Sequence, residues 1–323
     1  MAVFSPPPPL KRLTRPSNAP PFRVTERVVT ILCWIAQFRF LTSEQIARLD
    51  GGSHQKVLRL LQLCFYHGLL DRPSNQRAQL AAFYDEGNRP LVYAISRKGA
   101  KLLAEHGVPV HSDLDWASKN KSATAPFLAH TIEVAEAMLH FAFACRDADG
   151  PKLIDHHALL PVMPQATQEL SDPFRLRVTH RTKDYRDVPI NVVPDRLFCI
   201  DLPHERVRWN FALELDRGTM SNGTSATQLT GKSSFRRKLL GYFEAWKQQR
   251  HMQQWGFKSF RVLTITPSAR RIANMLAVQR EVTNGTLGGL FLYATPQRLA
   301  EHGVFGPAWI NSESEAITLL QRK

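Results

Sequence analysis

Residues 192–219 read VVPDRLFCIDLPHERVRWNFALELDRGT. Two apolar runs, RLFCI and NFALEL, flank a polar turn around His204 and Glu205, the pattern of an antiparallel hairpin. A turn centred there places Asp195 opposite Glu214 at the open end, with Asp216 two residues beyond. Facing carboxylates repel, so this pairing calls for a cation, a basic side chain or a shared proton close by. The stretch therefore predicts a sheet and also the place in it where chemistry would occur.

Outward from the hairpin, strands alternate with helices. Upstream, KLIDHHALL (152–160), PFRLRVTH (173–180) and INVVPDRLFCI (190–200) read as strands. In the first of these His156 and His157 would point to opposite sides and could not share an ion. Before them, FLAHTIEVAEAMLHFAFAC (127–145) is an amphipathic helix with Leu128, Ile132, Ala135, Leu139 and Phe143 on one face. His130 and Glu133 on it read as surface decoration, because no further histidine stands at metal-site spacing. Downstream, the small polar loop 218–231 leads into KSSFRRKLLGYFEAWKQQRHMQQW (232–255), read as one helix with Phe235, Leu239, Tyr242, Phe243 and Trp246 on its apolar face. A buried strand (259–266), a helix capped by Ser268, a strand (288–296) and a short last helix (295–303) follow. That order predicts a mixed sheet with helices on its faces.

The N-terminal third follows a different pattern. Residues 1–23 hold four consecutive prolines with Lys11, Arg12 and Arg15, and are expected to form a disordered, basic, Pro-rich arm. From Thr25, a cap, Val28, Ile31, Leu32 and Ile35 recur at helical spacing; LTSEQIARLD then carries its own N-cap at Thr42 or Ser43 and stops at Gly51 and Gly52. A third helix opens at Ser53, its inward stripe being Val57, Leu60, Leu61 and Cys64. Two apolar runs around the turn DEGN (85–88) make a hairpin, and RKGAKLLAEHG (97–107) closes the unit. Residues 24–107 thus resemble the winged-helix DNA-binding domains of bacterial regulators and replication proteins. In such a domain His54, Gln55, Lys56 and Arg59, which face away from the stripe, would contact DNA from the third helix, and Arg89 from the wing. A winged helix used for protein contacts is the alternative. Residues 108–123, polar and aperiodic, would be the linker to a second domain at 124–323.

Composition narrows the class. The chain has 323 residues, 43% of them hydrophobic, enough for two cores. No apolar run reaches the roughly 18 residues of a bilayer span, and the start lacks the apolar middle of a signal peptide, so a cytoplasmic location without membrane contact is expected. Cys33, Cys64, Cys145 and Cys199 lie far apart in apolar segments and read as buried free thiols. The net charge is +14, and from Lys232 to Arg271 ten Lys or Arg stand against the single acid Glu244. Such a segment attracts a polyanion, which makes Lys232, Arg236 and Arg237 further candidates for DNA contact.

Acids at a hairpin mouth, in this order of elements, resemble the PD-(D/E)xK nuclease fold. Pro194 and Asp195 match the PD half of its motif and Glu214 the first residue of the second half; Asp216 stands where that motif has lysine. The resemblance implies that Asp195, Glu214 and Asp216 bind Mg²⁺, which polarises the scissile phosphate and activates water, while a lysine positions that water. Lys238, one helix downstream, is the lysine available, since some members of the fold carry theirs on that helix. In the alternative, the acids only form salt bridges to Lys238 and Arg217 in a degenerate domain.

The layout as a whole, from about residue 25 to about 300, is similar to the replication-relaxation family of plasmid and integrative-element proteins. Its carriers are LAHTIEVAE (128–136), PDRLF (194–198), ELDRGT (214–219), Lys238 with Tyr242, and ITPSARR (265–271). The fold class implied is α/β (α+β): an N-terminal winged helix-turn-helix followed by a PD-(D/E)xK restriction-endonuclease-like domain with a central mixed sheet. The function implied is DNA binding in replication initiation, DNA relaxation or mobilisation, with double-stranded DNA and replication or mobilisation proteins as partners and Mg²⁺-dependent nicking as its catalytic form. A noncatalytic initiator or transcriptional regulator, and a protein-interaction scaffold, are the alternatives.

Overall fold

The computed structural model describes residues 13–76, 90–108, 116–147, 150–182, 184–218 and 234–321. It is a mixed α/β protein of two compact units, Met1–Ala137 and Met138–Lys323.

The first unit contains α1 (Glu26–Phe38), β1 (Phe40–Thr42), α2 (Ser43–Asp50), α3 (His54–Tyr66), β2 (Leu70–Asp71), β3 (Val92–Ile95), α4 (Arg97–Glu105), α5 (Trp116–Lys121) and the start of α6 (Ala125–Asp147). Thr25 Oγ1 accepts the Val28 N–H and caps α1, whose Val28, Ile31, Leu32 and Ile35 are buried. Thr42 and Gln45 cap α2 reciprocally, each side chain bonding to the other's backbone N–H at 3.0–3.1 Å. The helix stops at Gly51, which adopts the left-handed φ of +68° that glycine tolerates best. Strands β1, β3 and β2 form an antiparallel sheet in that order. Of the expected hairpin only β3 is described; its first strand and the DEGN turn lie outside the described residues.

Two boundaries differ from expectation. The described end of the arm is pinned: Arg15 donates to the carbonyls of Phe65 and Leu70 and pairs with Asp71, its guanidinium 4.9 Å from the Phe65 ring centroid. The division between units falls inside α6 and not at 108–123. Asn120 Nδ2 donates to the Ile95 carbonyl and to Asp71, Ala123 and Leu128 share a core with Phe40, Val92 and Ala94, and Gln45 Nε2 reaches the Ile132 carbonyl. These contacts bind the segment from α5 into the first unit.

The second unit continues from α6 with β4 (Lys152–Asp155), α7 (His156–Leu159), α8 (Gln165–Gln168), β5 (Leu176–Arg181), β6 (Asp187–Val192), β7 (Arg196–Leu202), β8 (Val207–Leu215), α9 (Phe235–Lys247) and α10 (Arg250–Trp255). It closes with β9 (Arg261–Ile265), α11 (Ala269–Thr283), β10 (Phe291–Ala294), α12 (Pro296–His302), β11 (Trp309–Ile310) and β12 (Ala316–Ile317). Seven strands make one mixed sheet in the order β12-β11-β10-β9-β8-β7-β4, with β8–β9 and β9–β10 parallel. Alternation along the central strands sends Leu197, Cys199, Ala212 and Val262 into the main core with Leu239, Tyr242, Ile272 and Met275 of α9 and α11. Phe198 points the other way, its ring 4.7 Å from that of Phe141 in α6.

Three strand and helix readings need correction. INVVPDRLFCI is not one strand: β6 ends at Val192 and β7 starts at Arg196, because Pro194 has no N–H to give a ladder. Strands β5 and β6 form a separate two-stranded sheet. His156 and His157 stand in α7, not in a strand; the Asp155 carboxylate caps the helix by accepting the His156 N–H, and the two rings lie 3.9 Å apart. The long helix expected over 232–255 breaks at Gln249, which sits at φ +54° between α9 and α10.

Candidate functional site

The site is built where β7 and β8 part. Their register runs from Leu202 opposite Val207 to Arg196 opposite Leu213, so its next step sets Asp195 against Glu214, as a turn centred on His204 and Glu205 requires. Asp195 is fastened there by its backbone and its side chain. Its N–H donates to the Leu213 carbonyl at 3.0 Å, and its Oδ2 accepts the Leu215 N–H at 2.7 Å. Glu214 has the parity of Ala212 along β8, so its side chain enters the side of the sheet that α9 covers. It is only 6% exposed.

Two α9 side chains one turn apart meet it there. Tyr242 donates its hydroxyl to Glu214 Oε1 at 2.5 Å, and Lys238 Nζ donates to Oε2. Burial pushes the Glu214 carboxyl up to about 7, against the attraction of Lys238, and Asp195 adds to the rise. Lys238 loses hydration too, yet Glu214, Asp195 and Asp216 together hold its ammonium above the usual lysine range. Burial, then Glu214, lifts the Tyr242 phenol well above its ordinary value, so it stays a proton donor. The cluster is one half-buried cation among acids, with a buried carboxyl whose pKa is raised.

Asp216 turns elsewhere. Its Oδ2 accepts from Thr266 Oγ1 at 2.8 Å and from Arg271 Nε at 2.9 Å, and its Oδ1 accepts from Arg271 Nη2 at 3.1 Å. Its salt-bridge partner is Arg271, on α11, a residue outside the Lys238 and Arg217 pair expected for the three acids. Among the described residues, no three His, Cys, Asp or Glu side chains gather into a group able to hold a metal ion. The structure thus brings Glu214 onto Lys238 with Asp195 facing it, while Asp216 accepts its hydrogen bonds from Arg271 and Thr266 and reaches Lys238 through its charge.

The other predicted contacts fall as follows. His54, Gln55, Lys56 and Arg59 are all exposed on α3 while Val57, Leu61 and Cys64 are buried, and His54 Nε2 lies 3.0 Å from Glu44. Leu60, expected in the stripe, is half-buried. Arg236 is engaged by Glu281 at 2.6 Å, and Arg237 Nη2 donates to the Pro189 carbonyl at 2.9 Å. Arg89 and Lys232 lie outside the described residues.

Sequence reasoning placed Tyr242 on an apolar face and, with Lys238, among the residues that carry the family resemblance, but gave it no place in the site, although its spacing of four from Lys238 was a readable signal. It also missed Arg271, which is distant along the chain, and the cluster on the other side of β7. There Asp155 Oδ1 lies 2.8 Å from His156 Nδ1, and Arg196 Nη1 lies 2.8 Å from the same ring nitrogen. Burial, then the Arg196 charge, lowers the His156 pKa.

A family model described as replication-relaxation matches residues 32–257, a span that contains Asp195, Glu214, Asp216, Lys238 and Tyr242. No curated protein and no solved structure matches the chain.

Proposed function

The chain belongs to the replication-relaxation family, and on that premise we propose that it engages double-stranded DNA during replication or relaxation of a plasmid or other mobile element, and nicks it at the Asp195–Glu214–Lys238 cluster. In this reading the first unit is a winged helix whose α3 presents His54, Gln55, Lys56 and Arg59 to the duplex. The second unit is a nuclease-type domain that acts on the backbone.

The observation that carries the reading is the buried Glu214 held between Lys238 and Tyr242 and facing Asp195. A carboxylate buried with a raised pKa beside a half-buried lysine is a poor way to gain stability, and such groups concentrate at reacting centres. The donors present limit how a metal could be held. Three carboxylates do not fit, since Arg271 and Thr266 occupy Asp216. Two face each other: Mg²⁺ commonly takes one or two carboxylates and completes its shell with phosphate oxygens and water, and Glu214 would join Asp195 in this by yielding part of its bonding to Lys238 and Tyr242. Asp195 and Glu214 would hold it, and when bound it would polarise a phosphodiester and acidify water. Lys238 would neutralise charge beside the phosphate, and Tyr242 would keep Glu214 oriented.

A second reading has its own support. Every acid of the trio has an internal donor, as a noncatalytic DNA-binding initiator or regulator with a degenerate site would show. Relaxation of supercoiled plasmid in Mg²⁺ or Mn²⁺ separates the two. Loss of nicking in Asp195→Ala and Lys238→Ala, with DNA binding kept, is expected of the nickase. DNA binding without nicking in the unaltered protein leaves the noncatalytic reading.

A further inference from the structure

The β5–β6 pair has two unlike faces. Leu176, Val178, Ile190 and Val192 are buried in the core with Leu239 and Leu240 of α9. The seat is close: a Cβ on Gly241 would stand 3.1 Å from the Ile190 and Val192 methyls. A lone two-stranded ribbon is marginal in water, so α9 supplies the stability that lets this one exist. Alternation then turns Arg177, Thr179 and Arg181 outward, opposite Asn191, Pro189 and Asp187.

The tip and the flanks add to this face. Tyr185 is 79% exposed and stands at φ +61°, a left-handed conformation that costs a bulky residue energy and is worth noting where it occurs. The Arg181 guanidinium lies 5.4 Å from its ring centroid. Arg250 Nε donates to the Arg177 carbonyl and Arg237 Nη2 to that of Pro189, which brings two more guanidinium groups to the ribbon's edges. Against these stand Asp184, engaged with Arg186, and Asp187. Among the described residues the face is basic, with an aromatic ring at its end.

We propose that the β5–β6 ribbon is a second DNA-contacting element, which enters a groove of the duplex with Arg177 and Arg181 along its outer face and Tyr185 at its tip. A two-stranded ribbon fits the major groove, about 12 Å wide, and arginines on one face can meet phosphates or guanine edges. The inference rests on the DNA reading above and extends it to a surface outside both α3 and the acidic cluster.

The test is binding of the full chain to a short duplex, followed by fluorescence anisotropy over a range of salt. Arg177→Ala with Arg181→Ala should weaken binding about tenfold and make log K against log[salt] shallower by about 1.8, that is, about 0.9 for each lost phosphate contact. Tyr185→Ala should weaken it less, without changing the slope. Lys152→Ala, in register with Asp201 at the end of β7 away from the ribbon, should change neither. Unchanged affinity and slope in ribbon variants that keep the wild-type thermal midpoint would overturn the inference and leave an acidic protein as the better partner for this face. Absence of duplex binding by the unaltered chain would sink the DNA reading with it. Weaker binding by Lys56→Ala with Arg59→Ala but not by the ribbon variants would sink the ribbon alone.

Discussion

Tyr242 and Lys238 grip the two oxygens of one carboxylate, Glu214, from successive turns of the same helix. The carboxylate therefore has no rotational freedom that does not break one of these bonds, and α9 is fixed to the end of β8 by a polar clamp inside an apolar core.

Removing half of that clamp measures its worth. Tyr242→Phe keeps the ring and deletes a hydrogen bond to a buried charged group, so a loss of about 1.5–3 kcal/mol is expected in urea unfolding. A change within a few tenths would show that the bond offsets no more than its own desolvation.

The pH dependence has a definite sign. The Glu214 carboxyl is raised in the folded protein to about 7 from an ordinary 4.5. The folded state thus binds this proton more tightly than the unfolded one, and the contribution is fully present below pH 4.5 and is lost as pH rises through about 7. Wild type should lose stability relative to Glu214→Gln between these values and keep a constant difference above them. Parallel urea midpoints at acidic and neutral pH would refute this.

Asp216 should behave as a structural acid. Both it and Arg271 are largely buried, so Arg271→Ala alone should cost about 3–5 kcal/mol, and the double variant with Asp216→Ala less than the sum of the two. If nicking is observed, Asp216→Ala should retain far more of it than Asp195→Ala does. Equal losses in plasmid relaxation would place Asp216 among the reacting groups after all.

Gly99 marks a close approach in the first unit. A Cβ there would lie 2.2 Å from the Leu69 carbonyl oxygen and 2.7 Å from Ile95 Cδ1. Gly99→Ala should therefore destabilise by about 1–3 kcal/mol despite alanine's better helix propensity, because backbone must shift to admit it. Thermal or urea unfolding of the variant that shows a gain would contradict the packing.

Much of this architecture was legible because local signals agreed with the tertiary result. The polar turn at His204 and Glu205 and the apolar runs beside it set the hairpin register by their lengths alone. Thr42 with Gln45, and Ser268, are caps whose spacing announces them. Lys238 was reached through resemblance, and the structure puts its ammonium on Glu214. What escaped had no local signature. Arg271 meets Asp216 only because β9 runs parallel to β8 and delivers the start of α11 to the same sheet end. The break at Gln249 falls in a polar run, QQR, that suits a helix equally well. In KLIDHHALL, the Asp155 cap outweighed the strand-like pattern of the residues around it.

The interruption at Pro194 has a mechanical consequence. Only Val193, Pro194 and Asp195 separate the end of β6 from the start of β7, a tether of at most about 11 Å when fully drawn out. One link of that tether is the acid that faces Glu214. A load on the ribbon is thus delivered along the chain to the hairpin mouth with almost no slack to absorb it, and the position of Asp195 becomes a gauge of how firmly the ribbon is held.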